Sequence, residues 1–257
     1  MTAASPALSL AIPVLGPQDI GALRRTLDAI AEIWQGAPSA VRVLVQSSKG
    51  GPADFQDDLV PAGILLDLQC APDQGIYDAM NRMLARCTTP RIVFLGAGDC
   101  PLPGLREAAN RWGEEDAGRT LQMGGVQLPK AEAGVPSHYP ARWDRSLFWR
   151  NTAHHQGIAY PTSLLREHGG FTPSFQVLAD YAVNLALFQK GVRAQWHPDE
   201  DWMAVQAGGR SRQFNAELYA EELHLKRTVL KPGLTRACQP MWIRFKAWGK
   251  RWAQRTR

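Results

Sequence analysis

The chain has 257 residues, of which 45% are hydrophobic and 21% charged, as is usual for a globular protein long enough to bury a full core. Its net charge of +5 is unevenly distributed, because the ten basic residues after Glu222 have no acid among them. The first 222 residues carry 19 basic and 24 acidic side chains. An acidic body does not suit a nucleic-acid-binding protein, so we expect no nucleic-acid partner.

The beginning of the chain shows no targeting signal. No basic segment precedes its short apolar run, which Pro13 interrupts, so we expect no signal peptide. No stretch approaches the roughly 20 apolar residues of a membrane span. The four cysteines are far apart and form no Cys-x-x-Cys pair, which argues against a disulfide framework or a zinc site. We therefore expect a cytoplasmic protein.

Strands and helices alternate along the first half of the sequence. Short apolar runs predict strands at 8–14, 41–45, 63–68 and 91–99, and apolar residues at helical spacing predict helices at 18–34 and 76–87. The second half is less regular, with strands predicted at 124–128, 155–160 and 192–196 and a helix at 180–190. This alternation predicts an α/β fold with a mostly parallel central sheet.

We expect three parts of the chain, of which the first two share one continuous sheet. Residues 1–128 form a Rossmann-like half and 129–222 a smaller second half, followed by a basic, Trp-rich tail at 223–257. Ligands of such sheets bind beyond the carboxyl ends of the strands. That rule selects the segments 13–16, 46–51 and 96–99 as the candidate site.

Asp99 follows a buried strand in the segment Phe-Leu-Gly-Ala-Gly-Asp, where Gly96 and Gly98 leave room for a ligand. A carboxylate at a strand end can hold a divalent metal, which would neutralise charge on a departing diphosphate. The alternative is that Asp99 caps a helix that starts near Pro101.

The segment 72–81, Pro-Asp-Gln-Gly-Ile-Tyr-Asp-Ala-Met-Asn, concentrates polar residues around the start of a helix. Asp73 alternatively acts as an N-cap, and Asp78 alternatively lies on a solvated face. Asp180 opens a later helix, where it serves either as a general base or as a favourable charge at the positive end of the helix dipole. His155 and Gln156 begin a predicted strand at the sheet rim, where a histidine is either structural or part of the site.

The order of these segments resembles the family 2 glycosyltransferases of the GT-A fold, in particular a small bacterial branch that builds capsule, exopolysaccharide or glycolipid chains. The resemblance covers roughly residues 8 to 197. It rests mainly on PDQGIYDAMNRMLARCTTPRIVFLGAGD (72–99), and also on HQGIAYPTSLLREHGGF (155–171) followed by LADY (178–181).

The resemblance implies a nucleotide-binding half fused to an acceptor-binding half, and it implies roles for individual residues. Asp180 would be the base that deprotonates the acceptor hydroxyl in a one-step, inverting displacement, and Asp99 would be the metal ligand. His155 and Gln156 would lie near the diphosphate or the acceptor. The nucleotide-sugar would be bound by Pro13, Val14, Gln46, Asp73, Gly75, Asp78, Asn81 and Gly98. The implied donor is a UDP-sugar, with a GDP-sugar as the alternative, and the implied cofactor is Mn²⁺ or Mg²⁺.

Two departures from the family pattern keep a second interpretation open. The loop after the second strand, 46–51, has no acid, and glycines occupy the places of the polar residues that usually precede Asp99. A single carboxylate holds a metal weakly unless diphosphate oxygens and water complete its shell. The alternative is therefore a degenerate GT-A protein that binds a nucleotide or a partner without catalysis. A nucleotidyltransferase is disfavoured, since no Gly-rich basic loop follows the first strand.

The tail, 239–257, places Trp242, Phe245, Trp248 and Trp252 at intervals of three and four with cations between them. As a helix it is amphipathic and suits the headgroup layer of an anionic membrane. We therefore expect peripheral attachment to the inner face of the cell membrane. The family resemblance implies a lipid-linked or polysaccharide acceptor, which such attachment would suit. The alternative is a helix that packs its Trp face on the body.

Overall fold

A computed structural model gives the structure of the protein. It describes residues 6–37, 40–55, 60–61, 63–112, 118–129, 136–206 and 215–255, without the side chains of residues 198 and 250–255.

The described residues form nine strands and eight helices. The strands are β1 (Leu8–Val14), β2 (Val41–Ser47), β3 (Leu65–Cys70), β4 (Arg91–Phe94), β5 (Cys100–Pro101), β6 (Leu121–Gln127), β7 (His138–Tyr139), β8 (Ile158–Pro161) and β9 (Ala194–Ala204). The helices are α1 (Ile20–Ile33), α2 (Ile76–Arg86), α3 (Pro103–Arg111), α4 (Thr162–His168), α5 (Ala179–Gln189), α6 (Ala216–Val229), α7 (Leu234–Ala237) and α8 (Gln239–Arg255).

One sheet runs through both halves in the order β3-β2-β1-β4-β8-β6-β9-β5, with β7 paired to β6. The first four strands are parallel, so that their carboxyl ends lie at one edge. β8 is antiparallel to both β4 and β6, whereas β6 and β9 are parallel. The α/β class and the continuous sheet predicted from the sequence are confirmed. The division at residue 128 stays a prediction, because β6 lies between two strands of the second half.

Helices cover both faces of the sheet. Because successive side chains of a strand point to opposite sides, each strand packs against both layers of helices. Leu10 and Ile12 of β1 are buried in a cluster that includes Leu27 of α1. Ala11, between them in sequence, is buried in a second cluster with Met80 of α2. The apolar runs that identified the strands are therefore runs of residues buried on both sides, as expected for parallel strands.

The structure corrects two predicted strands. The strand predicted at 155–160 begins only at Ile158, because His155–Gly157 forms a 3₁₀ turn in which Gly157 N donates to His154 O at 2.9 Å. The strand predicted at 192–196 begins at Ala194 and continues to Ala204. An apolar run shows that a segment is buried but does not distinguish a short turn from a strand end.

The helix predicted in the tail is present as α8, but its aromatic residues do not share one environment. Ile243 and Ala247 are buried, and Trp242 Nε1 donates to Trp149 O at 3.0 Å. Phe245 and Trp248 are 61% and 63% exposed. The tail therefore packs on the body through one face and presents a second, aromatic face; the Trp252 side chain is outside the described residues.

Candidate active site

Asp99 closes the turn that follows β4, and its carboxylate is almost fully buried, at 6% exposure. Oδ2 accepts hydrogen bonds from Gly96 N at 3.0 Å and Gln156 Nε2 at 2.8 Å, and Oδ1 accepts one from Gln206 N at 2.7 Å. Helix α3 begins at Pro103 after Leu102, and no side chain caps it. The capping interpretation of Asp99 is therefore wrong, because this side chain holds three separate loops together.

Thr26 of α1 attaches this turn to the first helix. Its Oγ1 donates to Asp99 O at 2.8 Å and accepts from Gly98 N at 2.9 Å. Gly98 has a φ of +95°, which favours glycine. Burial raises the pKa of the Asp99 carboxyl above its ordinary value, although the bonds from Gln206, Gln156 and Gly96 oppose this shift. Asp99 is thus a rigidly held carboxylate.

Asp180 lies in the first turn of α5 with 7% of its surface exposed. Oδ2 lies 3.3 Å from His155 Nδ1 and 3.4 Å from Asn151 Nδ2, and Oδ1 lies 3.2 Å from Tyr77 Oη. Burial alone would raise the pKa of Asp180, but the hydrogen bond and the charge of His155 more than offset it and lower the pKa below its ordinary value. The carboxylate is therefore ionised at neutral pH, as a general base must be.

The start of α5 is capped by another element. Glu221 Oε1, from α6, accepts from Val177 N at 2.8 Å and from Leu178 N at 2.7 Å. The N-cap residue Leu178 has no side-chain cap of its own. Glu221 thus binds the two residues that precede α5, and the role of Asp180, as a general base or as a charge at the helix start, stays a prediction.

His155 and Gln156 join the two acids. Consecutive in the 3₁₀ turn, they contact Asp180 and Asp99 respectively, although those acids are 81 residues apart in sequence. Gly157, the next residue, lies so close to β6 that a Cβ there would be 2.5 Å from Gly124 O. The turn thus packs tightly against the sheet at the point where it positions both side chains.

The ring of His155 belongs to an aromatic stack. His154 lies parallel to it, with ring centroids 5.3 Å apart, and Tyr139 of β7 lies 5.3 Å from His154. A cleft of about 350 Å³ lies beside β6, β7 and β9, lined by Gln127, Leu128, Pro129, Ser137, His138 and Asp201. In its lining, His138 Nε2 is 2.7 Å from Asp201 Oδ1.

Pro13 and Val14 end β1 and Gln46 lies near the end of β2, at the edge where the predicted nucleotide pocket would be. Gln46 is fully buried, with Oε1 accepting from Arg86 Nη1 at 2.9 Å and Nε2 donating to Ala71 O at 3.1 Å. Both ends of this amide have protein partners, so the contact between Gln46 and a nucleotide base stays a prediction.

The segment 72–81 organises its own helix start. Asp73 Oδ1 accepts from Gly75 N at 3.0 Å, and Gly75 is the N-cap of α2 with a φ of +115°. The suggestion that Asp73 is the N-cap is therefore wrong by two residues. Asp78 Oδ2 accepts from Gln74 N at 3.0 Å and pairs with Arg82 at 3.1 Å.

Asn81, in the next turn of α2, binds the backbone of Phe171. Nδ2 donates to Phe171 O at 2.7 Å, and Oδ1 accepts from Phe171 N at 2.8 Å. This pair fixes the loop after α4 against α2. The roles predicted for Asp73, Gly75, Asp78, Asn81 and Gly98 in nucleotide binding stay predictions.

Asp99 is the carboxylate proposed to hold a metal. Its three accepted hydrogen bonds use three of its roughly four lone-pair directions, leaving one. In the part of the chain that the structure describes, no group of three or more His, Cys, Asp or Glu residues is arranged to hold a metal ion. A cation at this turn would therefore have Asp99 as its ligand among the described residues and would take its other ligands from diphosphate and water oxygens.

Sequence reasoning did not assign Tyr77, Asn151, Glu221 or Gln206 to the site. Tyr77 lies within the segment 72–81, so the motif itself could have pointed to it. Asn151 and Gln206 lie in irregular segments where no periodicity indicates their direction.

Several known proteins are similar to this chain, although no protein-family model matches it. A PGL/p-HBAD biosynthesis glycosyltransferase of Mycobacterium bovis BCG is 32% identical over 192 residues, covering 72% of this chain and 71% of that protein. The glycosyltransferase of the same description from Mycobacterium tuberculosis H37Rv matches to the same extent.

Two solved structures share the fold at low sequence identity. Staphylococcus aureus TarS in complex with UDP-GlcNAc superposes with a TM-score of 0.65 at 12% identity, covering 92% of this chain and 70% of that chain. The mannosyltransferase PcManGT of Pyrobaculum calidifontis, in complex with GDP-Man and Mn²⁺, superposes with a TM-score of 0.59 at 17% identity, covering 95% and 70%. The fold expected from the sequence is thereby confirmed.

Proposed function

The chain belongs to the glycosyltransferases and has the GT-A fold, and on this basis we propose that it is an inverting, family 2 enzyme. It transfers a sugar from a nucleotide-sugar donor to a lipid-linked or polysaccharide acceptor. The observation that carries the proposal is the buried carboxylate of Asp180, which His155 contacts and which the His155–Gln156 turn joins to Asp99.

In this proposal Asp180 takes the proton of the acceptor hydroxyl. The oxygen electron pair then forms a bond to the anomeric carbon, and the bond to the nucleotide diphosphate breaks with its electrons remaining on the leaving group. Attack from the face opposite the leaving group inverts the configuration of the sugar.

The donor is a UDP-sugar in this proposal, with a GDP-sugar as the alternative. Support comes from the two solved neighbours, which hold UDP-GlcNAc in one case and GDP-Man with Mn²⁺ in the other. Pro13, Val14 and Gly98 contact the donor, and Gln46 and the segment 72–81 shape the pocket around it.

Asp99 would offer its remaining lone pair to Mn²⁺ or Mg²⁺. When bound, the cation would neutralise charge that develops on the diphosphate. What the chain itself contributes is position, because Gly96, Gln156 and Gln206 fix the Asp99 carboxylate beside the turn where the diphosphate would lie.

A further part of the proposal concerns α8, which attaches the enzyme to an anionic membrane. Met241, Phe245 and Trp248 follow one another at intervals of four and three and are 73%, 61% and 63% exposed. Of the ten basic residues after Glu222, Lys226 is buried and Lys246 pairs with Glu222. The others add attraction to anionic lipid of about 1 kcal/mol for each cation near the surface. None of the helices in the described part of the chain has the length and hydropathy that crossing a bilayer requires.

A panel of UDP-, GDP-, CMP- and dTDP-sugars, with and without Mn²⁺, tests donor binding by thermal shift. We expect one nucleotide class to raise the melting temperature, and Mn²⁺ to add to that rise but to give none alone. If no nucleotide stabilises the protein, the degenerate, non-catalytic alternative replaces the proposal.

Membrane attachment is tested by sedimentation with vesicles that contain anionic lipid. Replacing both Phe245 and Trp248 with Ser should abolish binding, whereas Leu65→Ser, at a leucine that is 46% exposed on β3, should leave it unchanged. Undiminished binding of the double variant would mean that this face of α8 is not the attachment surface.

A further inference from the structure

Tyr77 places a hydroxyl group beside the proposed base. It lies in the first turn of α2, is 8% exposed and stacks on Phe171 with ring centroids 5.9 Å apart. Its Oη is 2.6 Å from Val177 O and 3.2 Å from Asp180 Oδ1. One phenol therefore contacts both the carboxylate of Asp180 and the loop that leads into α5.

The hydroxyl has two neighbouring acceptors but only one proton to donate. When Asp180 is ionised, the phenol can donate to Oδ1, and a hydrogen bond to a charged oxygen is the stronger kind. When Asp180 carries a proton on Oδ1, that group can donate to the phenolic oxygen, whose own proton then turns to Val177 O. The same side chain can thus satisfy both protonation states of Asp180.

The other neighbours of Asp180 are arranged differently. His155 and Asn151 approach the second oxygen, Oδ2. The titratable groups that face Asp180 are Tyr77 from α2, Tyr160 from β8, and His154 and His155 from the segment before β8. Tyr160 donates its hydroxyl to Asn184 Oδ1 at 2.7 Å, so its hydroxyl is engaged elsewhere.

We propose that Tyr77 is a positioning residue for the base, holding Oδ1 of Asp180 in the ionised state and following the proton once Asp180 has accepted it. The proposal rests on the proposed function, in which Asp180 takes the proton of the acceptor hydroxyl.

Two further observations support this role. Burial and the charge of Asp180 raise the pKa of Tyr77 well above its ordinary value, so the phenol keeps its proton at any working pH. Asn81, four residues further along α2, holds the backbone of Phe171, on which the Tyr77 ring stacks. The helix that starts the predicted donor pocket therefore also sets the position of the base.

Tyr77→Phe removes one oxygen and keeps the ring. We expect kcat to fall about 10-fold, as for the loss of one hydrogen bond to a charged group, with the Kd for the donor unchanged. Because the carboxylate loses a donor, the pKa of Asp180 rises, and the acid limb of the kcat profile moves to higher pH. Tyr160→Phe is the matched control, which should leave the acid limb in place.

A direct titration of the Asp180 carboxyl carbon by NMR, in the wild type and in Tyr77→Phe, provides a measurement that does not need activity. A shift to higher pH in the variant supports the proposal, and an unchanged titration overturns it. An equal loss of kcat in both tyrosine variants without movement of the acid limb also overturns it, because that result indicates packing alone. If instead Asp180→Asn keeps full activity, the proposed base is wrong, whatever Tyr77 does to the titration.

Discussion

Asp99 and Asp180 lie at the same edge of one sheet and are buried almost equally, at 6% and 7% exposure, yet their surroundings differ in kind. Asp99 is bound by two backbone N–H groups and one amide, and none of these donors changes charge with pH. Asp180 is contacted by an imidazole, a phenol and an amide.

The pKa directions follow from these partners. Burial raises the pKa of Asp99, because its neutral donors only partly compensate for lost solvent. Burial would raise the pKa of Asp180, but the hydrogen bond and charge of His155, together with the Tyr181 N–H and the charge of His154, lower it. Fixed neutral donors make Asp99 a junction between loops, whereas Asp180 has a titratable partner, which suits the role of base that we propose for it.

The largest expected effect is that of Asp180→Asn. An amide cannot accept the proton of the acceptor hydroxyl, so kcat should fall about 10³-fold while the Kd for the donor stays within about 2-fold of the wild type. Steady-state kinetics and calorimetric titration measure the two quantities. Asp28→Asn, at an exposed acid of α1, is the control and should change neither; a full kcat in Asp180→Asn would contradict the role of Asp180.

Asp99→Asn should act on stability and donor binding more than on the chemical step. The new amide group must face at least one of the N–H donors that now bind Asp99, which costs about 1–3 kcal/mol of the free energy of unfolding. Denaturant unfolding checks the stability, and titration with the donor checks the accompanying loss of affinity. The comparison fails if this variant unfolds like the wild type and loses only kcat.

Substitutions of His155 test the source of the lowered pKa. His155→Phe keeps a ring on His154 but loses Nδ1, so the acid limb of kcat should move to higher pH, with kcat about 10-fold lower. His155→Asn keeps a neutral donor near the position of Nδ1 and should restore part of kcat. Identical pH profiles for the wild type and the Phe variant would show that His155 does not set the pKa of Asp180.

The smallest expected effect is on the pH dependence of stability. It concerns Lys226, which is buried outside the site. Burial lowers its pKa to about 7, and its Nζ donates to Tyr181 Oη, beside Asp180 in sequence. Between about pH 7 and the ordinary lysine pKa of about 10.4, the unfolded chain binds a proton that the folded chain lacks, so stability rises with pH in that range.

Lys226→Met should remove this slope and leave the melting temperature at pH 7 equal or higher, since a buried charge is replaced by a side chain of similar size. Melting curves between pH 6 and 10 measure it. Lys231→Met, at an exposed lysine, should keep the wild-type slope. If the rise of stability with pH persists in Lys226→Met, a group other than Lys226 causes it.

Much of this arrangement could be predicted from the sequence. Apolar runs ending in Pro13, in the polar loop after Val45 and in Gly96–Asp99 located the ligand edge, because parallel strands place their carboxyl ends together. The same patterns predicted the α/β class and the helices that carry Asp78, Asn81 and Asp180, whereas Asp73 precedes α2.

The contacts between distant segments could not be predicted in the same way. The amide of Gln46 is bound by Arg86, 40 residues away, and Asp99 is bound by Gln156 and Gln206. Local patterns contain no information on such pairings, which arise only when the strands assemble. For α8, spacing predicted an amphipathic helix, but it could not show that Ile243 and Ala247 would be buried on the body while Phe245 and Trp248 stay exposed.

The central claim is a one-step displacement with Asp180 as the base. It is tested most directly by proton NMR of the transfer product at early times, which compares the anomeric configuration of the transferred sugar with that of the donor. We predict the inverted configuration. A product that retains the configuration of the donor would contradict the single displacement and the role of Asp180 in it.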